Sequence, residues 1–266
     1  MSIQLTVDGH AVHCATGGRP FDAAKTTVIL VHGAGMDHSC WALQSRWFAW
    51  NGYSVLVPDL PGHGKSAGAP LLTIDDMAAW VGRLMDAAGL NTAILVGHSM
   101  GALIALKAAA DYSDRIARIA LLGVADVMPV HPDLLQAAQD NDPLAYDLIV
   151  SWGHGPGAHF GANRNPGLWM LGAGRALLAR NRPGVLFNDL AACNDWQGGL
   201  DAATAITCPA LIIAGDRDQM TPAKRACLVA EKIADTRSVT LRDCGHMMMA
   251  ERPNQTLDAL ITEFKI

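Results

Sequence analysis

The sequence predicts an α/β fold: a mostly parallel central sheet flanked by helices, with a mainly helical segment inserted after the sixth strand. First, short β-branched and apolar runs alternate with longer helical patterns, which is typical of βα units. Second, the runs at 26–31, 92–97 and 209–215 are almost wholly apolar, as expected of strands that helices cover on both faces. Third, the alternation of strand and helix patterns is interrupted once, over residues 128–203. We name this segment the insertion.

Six strands and three helices are predicted before the insertion. The first two strands pair across the turn at Asp8–Gly9, and Thr73, followed by Asp76, is a predicted helix start. The strands are predicted at 2–7, 11–15, 26–31, 53–58, 92–97 and 115–123. The helices are predicted at 40–51, 73–88 and 100–110.

The insertion contains helical patterns such as PDLLQAAQ at 132–139, broken by Gly- and Pro-rich turns. After it, strands are predicted at 209–215 and 237–241, with helices after Pro222 and Pro253. The chain is therefore predicted to fold as a core of residues 1–127 and 204–266, interrupted by a helical unit of residues 128–203.

Composition excludes several classes of protein. The chain has 266 residues, half of them hydrophobic, and can bury a sizeable core. A net charge of −5 argues against nucleic acid or an anionic membrane surface as the main partner. The start, MSIQLTVDGH, has no basic region before an apolar run, so we expect no signal peptide. Apolar runs such as TTVILV are too short to cross a bilayer. We expect a monomer or a homodimer.

The stretch VGHSMG at 96–101 places Ser99 where a predicted strand meets a predicted helix. A tight turn there lifts the hydroxyl above the carboxyl edge of the sheet. Gly97 and Gly101 stand where a side chain would collide with neighbouring backbone. The helix that starts at Met100 directs its free N–H groups at an oxyanion formed near Ser99. An ordinary serine N-cap would explain Ser99 but not both glycines, so we predict a nucleophile.

A serine hydroxyl is a weak nucleophile unless a base takes its proton. His246, in DCGHMMMAERP between the last predicted strand and helix, is the expected base. A carboxylate must orient its imidazole. AGDRD, after the strand at 209–215, offers Asp216 and Asp218; Asp218 is favoured, and Asp216 is expected to tie the loop together. Asp126, after the sixth strand, is the remaining alternative.

In the order Ser99, Asp218 and His246 the chain resembles the α/β-hydrolase superfamily, in its serine-nucleophile, esterase-like branch with a helical cap. The resemblance covers nearly all of the chain outside the insertion. It implies the α/β-hydrolase fold, and it implies that the insertion is a cap that roofs the active site.

Two loops also resemble loops of this superfamily. HGAG at 32–35, directly after TTVILV, is similar to the loop that supplies half of the family's oxyanion hole. Carried over by position, the backbone N–H groups of Ala34 and Met100 receive the oxyanion, and His32 braces the loop. DLPGHGKS at 59–66 is similar to a loop that supports the site without reacting.

The cap position implies a set of side chains that wall the substrate pocket. Aromatic and Met side chains suit an apolar acyl or alcohol group. The candidates are Trp152, His159, Phe160, Trp169, Met170 and, beside the base, Met247.

No motif indicates a cofactor or a metal. GKS at 64–66 ends like a phosphate-binding loop, but the required leading glycine would fall at Asp59. His154 and His159 have no carboxylate or cysteine at metal-ligand spacing. The six cysteines occur singly, without a CxxC pair, which predicts free thiols in a reducing compartment and therefore a cytoplasmic location.

These residues predict a serine hydrolase that cleaves a small or medium carboxylic ester through an acyl-enzyme. Lactonase, thioesterase, carbon–carbon bond hydrolase and cofactor-free perhydrolase activities use the same constellation and stay open. A ligand receptor that hydrolyses slowly is the alternative from another class. The fold and the three residues set the chemistry class, whereas the cap sets the substrate.

Overall fold

The computed structural model describes residues 1–159 and 169–264. Its centre is an eight-stranded sheet. The strands are β1 (Ser2–Val7), β2 (His10–Ala15), β3 (Thr27–Val31), β4 (Ser54–Pro58), β5 (Ala93–His98), β6 (Ile116–Leu122), β7 (Ala210–Gly215) and β8 (Thr236–Leu241). Their order across the sheet is β1-β2-β4-β3-β5-β6-β7-β8. Strands β3 to β8 run parallel, while β2 pairs antiparallel with both β1 and β4. The predicted mostly parallel sheet is confirmed.

Helices cover both faces of this sheet. They are α1 (Ala42–Trp50), α2 (Ile74–Ala87), α3 (Met100–Asp111), α4 (Pro132–Gln139), α5 (Leu144–Gly153), α6 (Pro156–His159), α7 (Met170–Leu178), α8 (Val185–Asp195), α9 (Gly199–Thr204), α10 (Ala223–Ala230), α11 (Met248–Glu251) and α12 (Pro253–Phe264). No helix within residues 1–159 or 169–264 is long and apolar enough to span a bilayer.

The buried strands follow directly from the apolar runs of the sequence. Every residue of β3, β4, β5 and β7 is buried, because helices pack against both sheet faces. One face packs against α2, α3, α9 and α10, and the other against α1, α11 and α12.

Local side-chain chemistry sets two helix starts. Thr73 caps α2 as predicted, because its hydroxyl accepts a hydrogen bond from the Asp76 N–H at 3.0 Å. The helix predicted at 40–51 begins earlier, with a 3₁₀ turn at His38–Trp41 that leads into α1. The Asp37 carboxylate caps this turn by accepting from the Ser39 N–H at 2.8 Å, a cap that the prediction missed.

Between β6 and β7 the described residues form helices α4 to α9 and no strand. Apolar side chains of α4, α5, α7 and α8 form a cluster of their own, which Met36 and Met247 join from the core side. Ala192, Ala202 and Ala203, near the end of the insertion, instead pack in the main core. The division of the chain at residues 128 and 203 stays a prediction.

The strand order places a crevice between the loops that follow β3 and β5. Strand β4, which follows β3 in the chain, pairs with one side of β3. Strand β5, which comes next, pairs with the other side of β3. Where the strand order reverses in this way, the two loops diverge at the carboxyl edge of the sheet. The loop at 32–37 and the turn at Ser99 therefore lie beside each other.

Candidate active site

Ser99 occupies a strained turn between β5 and α3. Its backbone has φ 55° and ψ −120°, a conformation that residues other than glycine rarely adopt. The turn is held because the Ser99 N–H donates to the Leu122 carbonyl at 2.9 Å and the Ser99 carbonyl accepts from the Ala102 N–H at 2.8 Å. The side chain of Ser99 lines a cavity, so the hydroxyl is presented at the carboxyl edge of the sheet.

Gly97 and Gly101 are required by close backbone approach. A Cβ atom on Gly97 would overlap the Gly101 carbonyl, and one on Gly101 would overlap the carbonyl oxygens of Val31 and His32. The two glycines therefore let α3 pack directly against the ends of β3 and β5, which fixes the turn that carries Ser99.

His246 and Asp218 form a buried, hydrogen-bonded pair. His246 Nδ1 donates to Asp218 Oδ2 at 2.7 Å, so the neutral imidazole carries its proton on Nδ1 and leaves Nε2 free to accept one. Asp218 Oδ1 accepts from the N–H groups of Met220 and Thr221 at 2.9 and 2.8 Å. Burial alone would raise the pKa of Asp218. The attraction between its carboxylate and a protonated His246, together with the hydrogen bonds from His246 and Thr221, outweighs burial and holds that pKa below its usual value.

Thr221 is a site residue that the sequence analysis missed. Its hydroxyl donates to Asp218 Oδ2 at 2.8 Å and lies 3.1 Å from His246 Nδ1. The hydroxyl thus holds the carboxylate oxygen that orients the imidazole. The available signal was the threonine three residues after the aspartate, a spacing that favours local side-chain hydrogen bonds.

The two alternative carboxylates lie elsewhere. Asp216 Oδ1 accepts from the Cys244 N–H at 3.2 Å and so links the two loops that carry Asp218 and His246. Asp126 forms an ion pair with Arg225 at 2.7 Å. Of the three candidates, the structure brings Asp218 to His246.

Ser99 and His246 line the same cavity of about 270 Å³. His246 Nε2 is buried and has no hydrogen-bond partner among the described residues. Ser99 Oγ and Nε2 are therefore not hydrogen-bonded to each other in this structure. Such contacts are often long in unliganded enzymes and tighten when substrate binds.

The loop after β3 presents Ala34 to the same cavity. The turn is closed by a hydrogen bond of 3.1 Å from the Met36 N–H to the Gly33 carbonyl. His32 accepts from the Leu60 N–H at its Nε2 and donates from Nδ1 to the Gly33 carbonyl at 2.9 Å. Burial, with the nearby His63 charge, lowers the pKa of His32 to about 4, so His32 is neutral and braces the loop.

The two N–H groups assigned to the oxyanion hole are those of Ala34 and Met100. Met100 is the first residue of α3 and is fully buried. Among residues 1–159 and 169–264, neither N–H group donates to a backbone carbonyl in a turn, loop or cap. Both donors thus remain available at the crevice, although their role stays a prediction.

The structure separates the predicted pocket residues. Trp152 and Met247 line the cavity that contains Ser99. Met170 lies instead on a second cavity of about 480 Å³, which Met247 also lines. Phe160 lies outside the described residues.

Among the described residues that line either cavity, His159 and Trp169 do not occur. Trp169 is 71% exposed and its ring packs against Gly172 of α7. His159 ends α6, and its Nε2 lies 3.4 Å from the His154 carbonyl oxygen. The place of His159, Phe160 and Trp169 in the pocket wall stays a prediction, because the sequence does not show which face of a cap helix points inward.

The apolar wall that the sequence analysis missed comes from α4, α5, α8 and the segment before α4. Leu and Ile recur there at helical spacing, a signal for burial that does not say against what. The apolar lining residues are Met128, Val130, Leu134, Ile149 and Leu190.

Two further buried side chains hold the loop of His246. His98 Nε2 donates to the His246 carbonyl at 2.8 Å; burial and the His246 charge lower the pKa of His98 to about 3, so His98 is neutral. The Glu251 carboxylate accepts from the N–H groups of Gly245, Met247 and Gly155 at 3.1, 3.2 and 2.8 Å. Since Gly155 belongs to the insertion, Glu251 connects the insertion to the loop that carries His246.

One cluster of the described residues has metal-ligand character. Ligand atoms of His13, His38 and Asp59 lie within 4.8 Å of one another. Asp59 already accepts from the backbone N–H and Nδ1 of His38 and from the Lys65 N–H, at 2.8, 2.8 and 2.9 Å. These hydrogen bonds explain why the three side chains lie together, because they anchor the loop after β4.

Gly123→Ala should displace His246. Gly123 has φ +60°, and a Cβ there would lie 2.8 Å from His246 Cε1 and 3.0 Å from Nδ1. We expect kcat to fall roughly a hundredfold, as for a misplacement of about 1 Å, in an assay of hydrolysis at saturating ester. Gly89→Ala is the matched control, because Gly89 has φ +68° and nothing within 4 Å of a Cβ. Equal losses in the two variants would contradict the explanation.

Comparison with known proteins places this chain in a family. The model of a family described as the alpha/beta hydrolase family matches residues 28–259. Pimeloyl-[acyl-carrier protein] methyl ester esterase of Aromatoleum aromaticum is 28% identical over 250 residues, which cover 86% of this chain and 94% of that protein. The (E)-2-((N-methylformamido)methylene)succinate hydrolase of Acinetobacter baylyi is 24% identical over 88% of each chain.

Among solved structures, the enol-lactonase of Burkholderia xenovorans is similar with a TM-score of 0.86, at 25% identity and over 98% of both chains. The family model covers most of the chain. The chain belongs to the α/β-hydrolase family of enzymes.

Proposed function

We propose that the protein is a serine hydrolase that cleaves a small or medium carboxylic ester through an acyl-enzyme on Ser99. The observation that carries the proposal is the buried Asp218–His246 pair, whose unpartnered Nε2 belongs to the same cavity as Ser99. A base oriented by a carboxylate and a serine on a strained turn are the parts that acyl transfer needs.

In the first half of the reaction, Ser99 Oγ bonds to the ester carbonyl carbon while His246 Nε2 takes the hydroxyl proton. The carbonyl oxygen becomes an oxyanion, to which the N–H groups of Ala34 and Met100 donate. The intermediate then expels the alkoxy oxygen, which takes the proton from the imidazolium and leaves as the alcohol. Asp218 stabilises the imidazolium through Nδ1 without taking its proton.

In the second half, His246 deprotonates a water molecule that attacks the acyl carbon. The bond to Ser99 Oγ breaks, Oγ regains its proton from His246, and the carboxylic acid leaves. These steps use only groups of the chain, the ester and water.

The size and the chemistry of the cavity support a small or medium apolar substrate. The cavity of about 270 Å³ has mainly apolar walls, including Val130, Leu134 and Ile149. Such walls suit an apolar acyl or alcohol group. The methyl ester esterase among the relatives supports an ester substrate. The enol-lactonase supports a cyclic ester as the second candidate.

A panel of p-nitrophenyl esters from acetate to dodecanoate, together with simple lactones, tests this proposal. We expect sustained turnover that is fastest for short or medium acyl chains, because long chains exceed the cavity. Lactone opening without ester turnover would favour the lactonase instead. A burst of one equivalent followed by a stall would favour a slow-hydrolysing receptor. Esters and lactones that all stay intact would contradict the proposal and leave thioester cleavage, carbon–carbon bond cleavage and cofactor-free perhydrolysis in its place.

A further inference from the structure

We propose that Asp189 of the insertion, paired with His63, is a positioning residue for the oxyanion hole. The inference rests on the proposed function, because it assigns a role to residues that act through the Ala34 loop. It makes the insertion a part of the catalytic machinery in addition to its part in the substrate pocket.

The Asp189 carboxylate reaches the loop from α8. Its Oδ2 accepts from the Gly35 N–H at 2.8 Å and from His63 Nε2 at 2.7 Å. All three residues belong to different segments: the loop after β3, the loop after β4, and the insertion. The Gly35 N–H shares its peptide group with the Ala34 carbonyl, so this contact fixes the peptide that follows the proposed oxyanion donor.

The insertion holds Gly35 on its other sides as well. The Asn181 side-chain amide donates to the Gly35 carbonyl, so both backbone polar groups of Gly35 are bonded to the insertion. A Cβ on Gly35 would lie 2.8 Å from Leu186 Cδ1 and 3.0 Å from Leu178 Cδ2. The loop therefore cannot shift without moving side chains of the insertion.

The pair depends on a proton on His63. Nε2 of His63 contacts the Asp189 carboxylate and Nδ1 lies 3.0 Å from the Pro61 carbonyl oxygen; since both partners are acceptors, only the imidazolium can donate to both. Asp189 Oδ1 has no donor among the described residues. A neutral His63 can donate to Asp189 or to Pro61 but not to both. Loss of the proton therefore removes the positive charge beside the buried carboxylate and one of the two hydrogen bonds, which is costly.

The surroundings of His63 favour that proton. Asp189 of α8 and Asp59 after β4 face it with negative charge, and the ring of His32 after β3 lies at a centroid distance of 4.9 Å. Burial alone would lower the pKa of His63, but the charge and the hydrogen bond of Asp189 outweigh it and raise that pKa above 6.5. The contribution of the pair is therefore complete below pH 6.5 and is lost as the pH rises through the raised value.

Asp189→Asn tests the inference, because asparagine keeps the shape and an acceptor for Gly35 but removes the charge that holds His63. We expect kcat to fall about ten- to a hundredfold and KM to change by less than about twofold. The reason is that a displaced oxyanion-donor loop weakens the stabilisation of the transition state more than the binding of the substrate. The affinity of butylboronic acid, which places an oxygen in the oxyanion hole, should fall by a similar factor. Rates are expressed per active site titrated with a fluorophosphonate, so that unfolded protein is not counted.

His63→Gln is the second variant. Wild type should lose kcat/KM as the pH rises through the raised His63 pKa, and His63→Gln should lack that alkaline limb. Asp147→Asn is the matched control, since it removes a carboxylate of the same insertion that pairs with Arg175 at 2.6 Å in a half-exposed ion pair. This control should keep the wild-type kcat and boronate affinity.

Three results distinguish the claims. Lower kcat and weaker boronate binding in both variants support the inference. Unchanged kcat and boronate affinity, with only a lower melting temperature, would show that the pair stabilises the fold and would overturn the inference alone. A wild-type protein that takes neither fluorophosphonate nor boronate would overturn the proposed function, and the inference with it.

Discussion

Ser99→Ala should abolish ester hydrolysis. Removal of a serine nucleophile in a comparable constellation costs on the order of a millionfold in kcat, and the remainder comes from the oxyanion hole and substrate binding. The Ser99 side chain makes no capping hydrogen bond to α3, so its loss leaves the fold unaltered. The measurement is turnover of the best ester of the panel, with the melting temperature recorded beside it. Turnover by the variant at the wild-type rate would exclude a mechanism in which Ser99 is the nucleophile.

Ser99→Gly separates strain from chemistry at the same position. Glycine adopts φ 55° and ψ −120° without the cost that a side chain brings, which is about 1–3 kcal/mol for a strained residue. We therefore expect this variant to be as inactive as Ser99→Ala but to melt at a higher temperature than the wild type. An unchanged melting temperature would indicate that the turn stores no strain.

Asp218→Asn should reduce kcat by about ten-thousandfold, as replacement of a triad aspartate does where the fold is kept. The asparagine cannot hold the proton on His246 Nδ1 as the carboxylate does, so the wrong tautomer is favoured. In wild type the depressed pKa of Asp218 means that its stabilising contribution is present at neutral pH. That contribution is lost only as the pH falls through the depressed value.

Asp216→Asn and Asp126→Asn are the controls for this variant. The first removes a charge that binds the Cys244 N–H, and the second removes the ion pair with Arg225. Both are expected to retain far more activity than Asp218→Asn when kcat is measured on the same ester. A greater loss from Asp126→Asn would mean that the orienting acid is misassigned.

The sequence allowed the fold and the main residues of the site to be predicted for local reasons. Apolar runs such as that of β3 show burial on both faces, and the glycines around Ser99 show where backbones approach. The candidates Asp218 and His246 each follow a predicted strand near the carboxyl edge of the sheet. Parallel strands bring those ends together at one edge of the sheet, which is why residues far apart in the sequence could be grouped as candidates.

The rest of the site depends on contacts that local patterns do not encode. His63 and Asp189 are 126 residues apart in the chain, and Gly155 and Glu251 are 96 apart. Trp169 was expected in the pocket because it is aromatic, yet the packing of α7 leaves it exposed. Tertiary packing decides which face of a helix meets the core. In a short helix with apolar residues on several sides, the sequence does not identify the buried face.

The insertion contacts both halves of the candidate catalytic machinery. Through Asp189 and Asn181 it binds Gly35, beside the proposed oxyanion donor. At the other end, the Gly153 carbonyl accepts from the His246 N–H at 2.9 Å and the Met247 N–H at 3.1 Å. These bonds predict that changes in the insertion affect the rate of the chemical step as well as the choice of substrate.

The most direct test of the central claim is a covalent one. Wild type and Ser99→Ala are treated with a fluorophosphonate, and the intact mass of each is measured. One adduct on wild type and none on the variant is the predicted result, because only an activated serine in a formed site attacks the phosphorus. Heat-denatured wild type should also remain unmodified. Folded wild type without an adduct, or an equal adduct on Ser99→Ala, would contradict the assignment of Ser99 as the nucleophile.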